Sequence, residues 1–197
     1  MKDRYLLRIF LMGLALLLIS GVQASMMSDI DVTRVSEDCG RWKISFNWSE
    51  MDQYSSSVSH ADSTSGKVKV STDTLIMTSS ERKKVVKVSV ITYSQSGAAP
   101  INSSRMIALA NETLSKSNVC GEINAFMRQI DGRLGAFASG AKCPLGEPVY
   151  AAVYPVDYHL DRPGGVLASD ALVIVLSTYD QETTDRLLNS IKLEQIR

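Results

Sequence analysis

The sequence predicts an α+β fold: an antiparallel sheet packed against helices, behind a cleavable leader. Three observations carry this expectation. Trp42, Ile44, Phe46 and Trp48 alternate with polar residues, the period of a half-buried strand. Met106, Ile107, Leu109, Ala110, Thr113 and Leu114 recur at helical spacing. The order of segments is strands, helix, strands, helix, which suits α+β better than alternating parallel units.

Residues 1–24 have the features of a secretory signal peptide. Lys2, Arg4 and Arg8 precede a 14-residue apolar run, Ile9 to Val22, which closes on Gln23-Ala24. The run is shorter than the roughly 20 residues a spanning helix needs, and Arg8 limits its extension. The expectation is therefore a cleaved leader and an exported protein, with no stable membrane insertion after cleavage. An N-terminally anchored form is the alternative. Residues 25–38 are polar and read as a flexible segment, with a single domain over 39–197.

Within that domain, 50–66 reads as a polar loop, and 67–78 and 85–93 as strands joined by a charged turn. The helix is expected over 104–119, capped near Asn102/Ser103. Glu147 to Leu160 is extended, and Pro155 marks it as an edge or bulged strand. Arg162-Pro163-Gly164-Gly165 is a turn signal. Ala171 to Thr178 is nearly all apolar, as in a central strand. Asp180 can cap a helix reaching Ile191, with Leu187, Leu188 and Ile191 buried, and 192–196 can form a last short strand.

Charge excludes some partners. The chain has 21 basic and 21 acidic residues; the leader removes three and one, leaving 18 and 20. No basic field exists to attract nucleic acid or an anionic membrane. Three Asn-x-Ser/Thr sequons, at Asn47, Asn102 and Asn111, are candidate glycosylation acceptors in an exported chain.

Export also bears on Cys39, Cys120 and Cys143. Asp131-Gly132 is a two-residue hairpin signal, because a type I′ turn needs φ > 0 at both positions. Opposed residues in that hairpin have numbers totalling 263, and so do Cys120 and Cys143. An unbroken register would set the two cysteines face to face, within disulfide reach. Gly121 could host a bulge that shifts the register. The same register gathers Ile123, Ala125, Met127, Leu134, Ala136, Ala138 and Gly140 on a face suited to lie under a helix, and sets Phe126 opposite Phe137. Cys39 is left as the free thiol, expected to be partly buried.

The C-terminal strand, helix and strand (ALVIVLSTYD, LLNSI, KLEQI) resemble the close of PsbP-like proteins over roughly 25 residues. The resemblance implies an α/β/α sandwich and an accessory or binding role. It transfers no catalytic or ligand residue.

Catalytic motifs are sparse. There is no Gly-x-Ser-x-Gly or Cys-x-x-Cys, and Ala61 stands where a phosphate-binding loop would begin with Gly. The two histidines are His60 and His159. On a strand, Asp157, His159 and Asp161 share one face and could hold a divalent metal, although polar alternation is the default for such a strand. No cofactor is expected. The leading expectation is an exported, non-enzymatic module for a protein or small-molecule partner. A secreted metal-assisted hydrolase at Asp157/His159/Asp161 and a structural component of the cell envelope are the alternatives.

Overall fold

A computed structural model describes residues 33–48, 53–80, 83–95, 101–162 and 165–196, with side chains described except at 158–170. The leader, residues 25–32 and the side chains of His159 and Asp161 lie outside the described residues.

Five strands open the domain: β1 (Thr33–Cys39), β2 (Trp42–Trp48), β3 (Tyr54–Ser65), β4 (Val68–Ser79) and β5 (Val85–Tyr93). Helix α1 (Ser103–Ser115) leads to β6 (Val119–Ile130), β7 (Arg133–Lys142), β8 (Glu147–Arg162) and β9 (Gly165–Ser177). Helix α2 (Gln181–Ser190) and β10 (Lys192–Gln195) close the chain. A seven-stranded antiparallel sheet has the order β3-β4-β5-β9-β8-β7-β6, and a three-stranded sheet the order β1-β2-β10.

The α+β expectation is overturned: this is a β-rich fold of ten strands and two helices among the described residues, not a sheet sandwiched by helices. The physical reason lies in residues 33–38 and 54–65. Both were expected to be loose or looped, and both form strands. β1 turns back through Gly40-Arg41 onto β2, and β10 pairs with the other edge of β2. The resulting small sheet packs its apolar face on the inner face of the large sheet, where an α/β/α sandwich would have a helical layer. Trp42, Ile44, Phe46 and Trp48 enter one core with Leu75, Met77, Val86, Val88, Val90, Val173 and Val175. Leu187, Leu188 and Ile191 at α2 complete that core. Each such buried side chain contributes roughly 1.5–3 kcal/mol.

A second core lies on the outer face. Met106, Ala110 and Leu114 of α1 pack on Ala136, Ala138, Val149, Ala151 and Val153. Ile123, Ala125 and Met127 join its margin, on the face the sequence assigned to a helix. Leu134 differs, being exposed. Burial on both faces explains the apolar run in β9, which occupies the centre of the large sheet.

β8 is an interior strand, not the edge strand suggested by Pro155. Yet β7 pairs with β8 only as far as Val153, while β9 continues past Pro155 opposite Leu172. Pro155 therefore lies where one side of β8 has no β7 partner, a place that tolerates its missing N–H.

Both helix caps form as read from the sequence. Asn102 Oδ1 accepts from the Arg105 N–H (2.9 Å), and Asp180 Oδ1 from the Thr183 N–H (2.8 Å). The first helix stops at Ser115, earlier than expected, and Asn118 (φ 61°) turns the chain into β6.

Candidate functional site

The Asp131-Gly132 hairpin forms in the expected register, from Ile130 opposite Arg133 to Asn124 opposite Ser139. Phe126 faces Phe137 across it, with ring centroids 5.7 Å apart. Beyond Asn124 the register slips by two, so Cys120 faces Ala141. Gly121 has φ +81°, the left-handed backbone such a bulge exploits. The Cys120–Cys143 disulfide nonetheless forms, diagonally, with Cα atoms 5.5 Å apart. The pairing read from the sequence is present; the direct opposition behind it is not.

The strongest polar cluster lies on the inner face at the β3 edge, and the sequence reading missed it. Asp73 of β4 is 0 % exposed. The Nδ1–H of His60, opposite it on β3, donates to Asp73 Oδ1 at 2.6 Å. The Arg41 N–H of the β1–β2 turn donates to Asp73 Oδ2 at 3.4 Å. His60 Nε2 lies 3.2 Å from Asp62 Oδ1. Asp62 also accepts from the Ser71 hydroxyl (2.6 Å) and pairs with Lys69 (2.9 Å). The hydrogen bond to Asp73 raises the His60 pKa above 6.5. Hydrogen bonds from Ser71, then Lys69, pull the Asp62 carboxyl down to about 2.

A signal for this cluster was available. Gly66-Lys67 is a two-residue turn between Ser65 and Val68, and its hairpin numbering, applied like that of Asp131-Gly132, puts His60 opposite Asp73. Chemically, both imidazole nitrogens are engaged by carboxylates, so the ring ties an edge strand to its neighbour. Cys39 lies in the same core and is fully buried. Burial, with the Asp73 charge second, pushes its thiol up to about 11, so it is held as a neutral thiol.

Asp157 is exposed on β8 and lines a shallow cleft with Asp131, Arg133, Lys192 and Glu194. The backbone sets His159 opposite Ala168 and Asp161 opposite Val166. Among the described residues, no three His, Cys, Asp or Glu side chains converge as a metal site. Of the sequon residues, Asn47 is exposed on β2, Asn102 caps α1 and Asn111 lies within α1.

A concave site of about 390 Å³ lies on the outer face, between the end of α1 and strands β4, β5 and β9. Its floor is apolar: Ile91, Ile174 and Leu176. Hydroxyls surround that floor. Thr74 and Ser89, both buried, share a 3.0 Å hydrogen bond between their oxygens, which leaves one of their two protons to donate elsewhere. On the helix side, Thr113 donates to the Leu109 carbonyl (2.7 Å) and Ser117 to the Thr113 carbonyl (2.8 Å). Lys87 and Lys116 flank the opening. Lys116 is paired with Glu112 at 2.6 Å, whereas Lys87 makes no ion pair among the described residues. An apolar floor ringed by a few convergent polar groups is the general form of a small-molecule site. The sequence reading did not anticipate it, because its residues come from four separate elements. Compared with known proteins, the chain matches no family model, no curated protein and no solved structure.

Proposed function

We propose that the protein is an exported, non-catalytic binding module whose ligand occupies the groove between α1 and the outer face of β4, β5 and β9. The observation that carries this reading is the groove itself: an apolar floor of Ile91, Ile174 and Leu176 beneath hydroxyls and lysines. The Cys120–Cys143 disulfide supports export, because such bonds persist in oxidising compartments. A relationship to PsbP-like proteins at residues 171–196 belongs to the same proposal and agrees with an accessory role; it does not extend to the layering of the fold.

The test is a ligand screen by thermal unfolding, run on the wild-type chain and on Thr113→Trp, which places an indole in the groove. A ligand at about 100 times its Kd stabilises the native state by roughly 2.7 kcal/mol, a shift of several degrees in Tm. The expected result is at least one small molecule that raises Tm in the wild type and not in Thr113→Trp. Stabilisation that is equal in both would refute the groove as the ligand site.

A further inference from the structure

Resting on that groove as the ligand site, we infer that its ligand is a monoanionic amphiphile: one carboxylate head on a short apolar tail. The floor determines the tail. Ile91, Ile174 and Leu176 offer partly buried apolar surface with no charged group among them. A ligand tail covering them gains by removing that apolar surface from water.

Charge determines the head. Among the described residues, no acidic side chain lines the groove. Of the two lysines at the opening, Lys116 is already paired with Glu112, and Lys87 is without a carboxylate among the described residues. The groove thus presents one uncompensated positive charge, which matches one negative charge; a phosphate dianion would be left half-compensated. Hydroxyl donors agree with an acceptor head. The Thr74–Ser89 pair retains one proton, and the Thr72 hydroxyl beside it has no partner among the described residues. A cationic head would meet Lys87 at close range and be repelled.

Octanoate, 1-octanol and octylammonium share a tail and differ only in the head, so they isolate this inference. Each is titrated into the full chain, with calorimetry and amide NMR shifts as readouts, in the wild type, Lys87→Gln and Thr113→Trp. Octanoate is expected to bind saturably and more tightly than 1-octanol. Lys87→Gln should weaken it about fivefold, the size of one solvent-accessible charge contact, and leave 1-octanol unchanged. Thr113→Trp should abolish both. Equal binding of octanoate and 1-octanol, lost in Thr113→Trp but unmoved by Lys87→Gln, would overturn the carboxylate head while leaving the groove intact. Preference for octylammonium would overturn it in the same way. Saturable binding by none of the three, or binding unaffected by Thr113→Trp, would overturn the inference and also count against the groove.

Discussion

Gly40 and Asp73 form the most testable joint in the molecule. Gly40 sits in the two-residue turn between β1 and β2 with φ +59°, and its backbone rests directly on the Asp73 carboxylate. A Cβ at Gly40 would lie 1.9 Å from Asp73 Oδ1, against a floor of 3.0 Å for real contacts. In Gly40→Ala the carboxylate must therefore retreat by about 1.1 Å, the difference between those two distances. That movement is enough to break the 2.6 Å bond from His60. Loss of a hydrogen bond to a charged group costs about 1.5–3 kcal/mol. Left-handed backbone at a residue with a Cβ adds about 1–2 kcal/mol. Gly40→Ala should thus destabilise by roughly 2.5–5 kcal/mol.

The partner substitution separates the two costs. In an Asp73→Ala background there is no carboxylate to displace, so adding Gly40→Ala should cost only the backbone share, about 1–2 kcal/mol. Urea unfolding of the wild type, both single variants and the double variant at pH 6 gives the coupling energy, expected at about 1.5–3 kcal/mol. Costs that add to within about 0.5 kcal/mol would refute the joint.

Three further outcomes are expected. Replacing Cys120 and Cys143 together by Ala should lower stability by about 3 kcal/mol, read as a fall in the urea midpoint. For His60, which contacts Asp73 and Asp62, themselves held by the Arg41 N–H and by Lys69, an NMR titration should show a pKa above 6.5; because the folded value is raised, its stabilisation is complete below the unfolded pKa and fades as pH rises through the folded one, and His60→Asn should flatten that slope. The Cys39 thiol, buried and raised to about 11, should resist iodoacetamide at pH 8 in the native protein and react fully in urea, as mass spectrometry would show.

Elements with one wet and one dry face, or with caps, were legible in the sequence. The Trp42–Trp48 alternation became β2, the apolar run at 171–176 became the centre of the large sheet, and Asn102 and Asp180 cap their helices. What was hidden is what periodicity does not encode. After Tyr54, every residue of β3 is exposed, so its side chains carry no alternation; its backbone ladder to β4 defines it. Missing β3 concealed the His60–Asp73 pair, and missing β1 concealed the second sheet. The disulfide came through for a different reason. Its two cysteines were close enough in the hairpin to tolerate a two-residue slip, so an argument from ideal register reached the right pair through a geometry that the Gly121 bulge replaces.

The groove follows from topology rather than from any one residue. β3, β4 and β5 are joined by short turns, so no helix is available between them to cover their outer face. The connection from β5 to β6 runs from the third position of the large sheet to its far edge, and α1 is the element that makes the crossing. It packs on β6, β7 and β8 and reaches only the margin of β9. Thirteen residues give a cylinder about 20 Å long and 10–12 Å wide, while seven strands span about 29 Å. One such helix cannot cover that sheet. Side chains agree with this division: alanines at 136, 138 and 151 let α1 approach closely, and Thr72, Thr74, Lys87 and Ser89 line the groove that the end of α1 only borders. The boundary between the two zones is where the apolar floor meets the hydroxyls. A binding site at that seam lies at the margin of the α1 core, where Ile91, Ile174 and Leu176 are only partly covered.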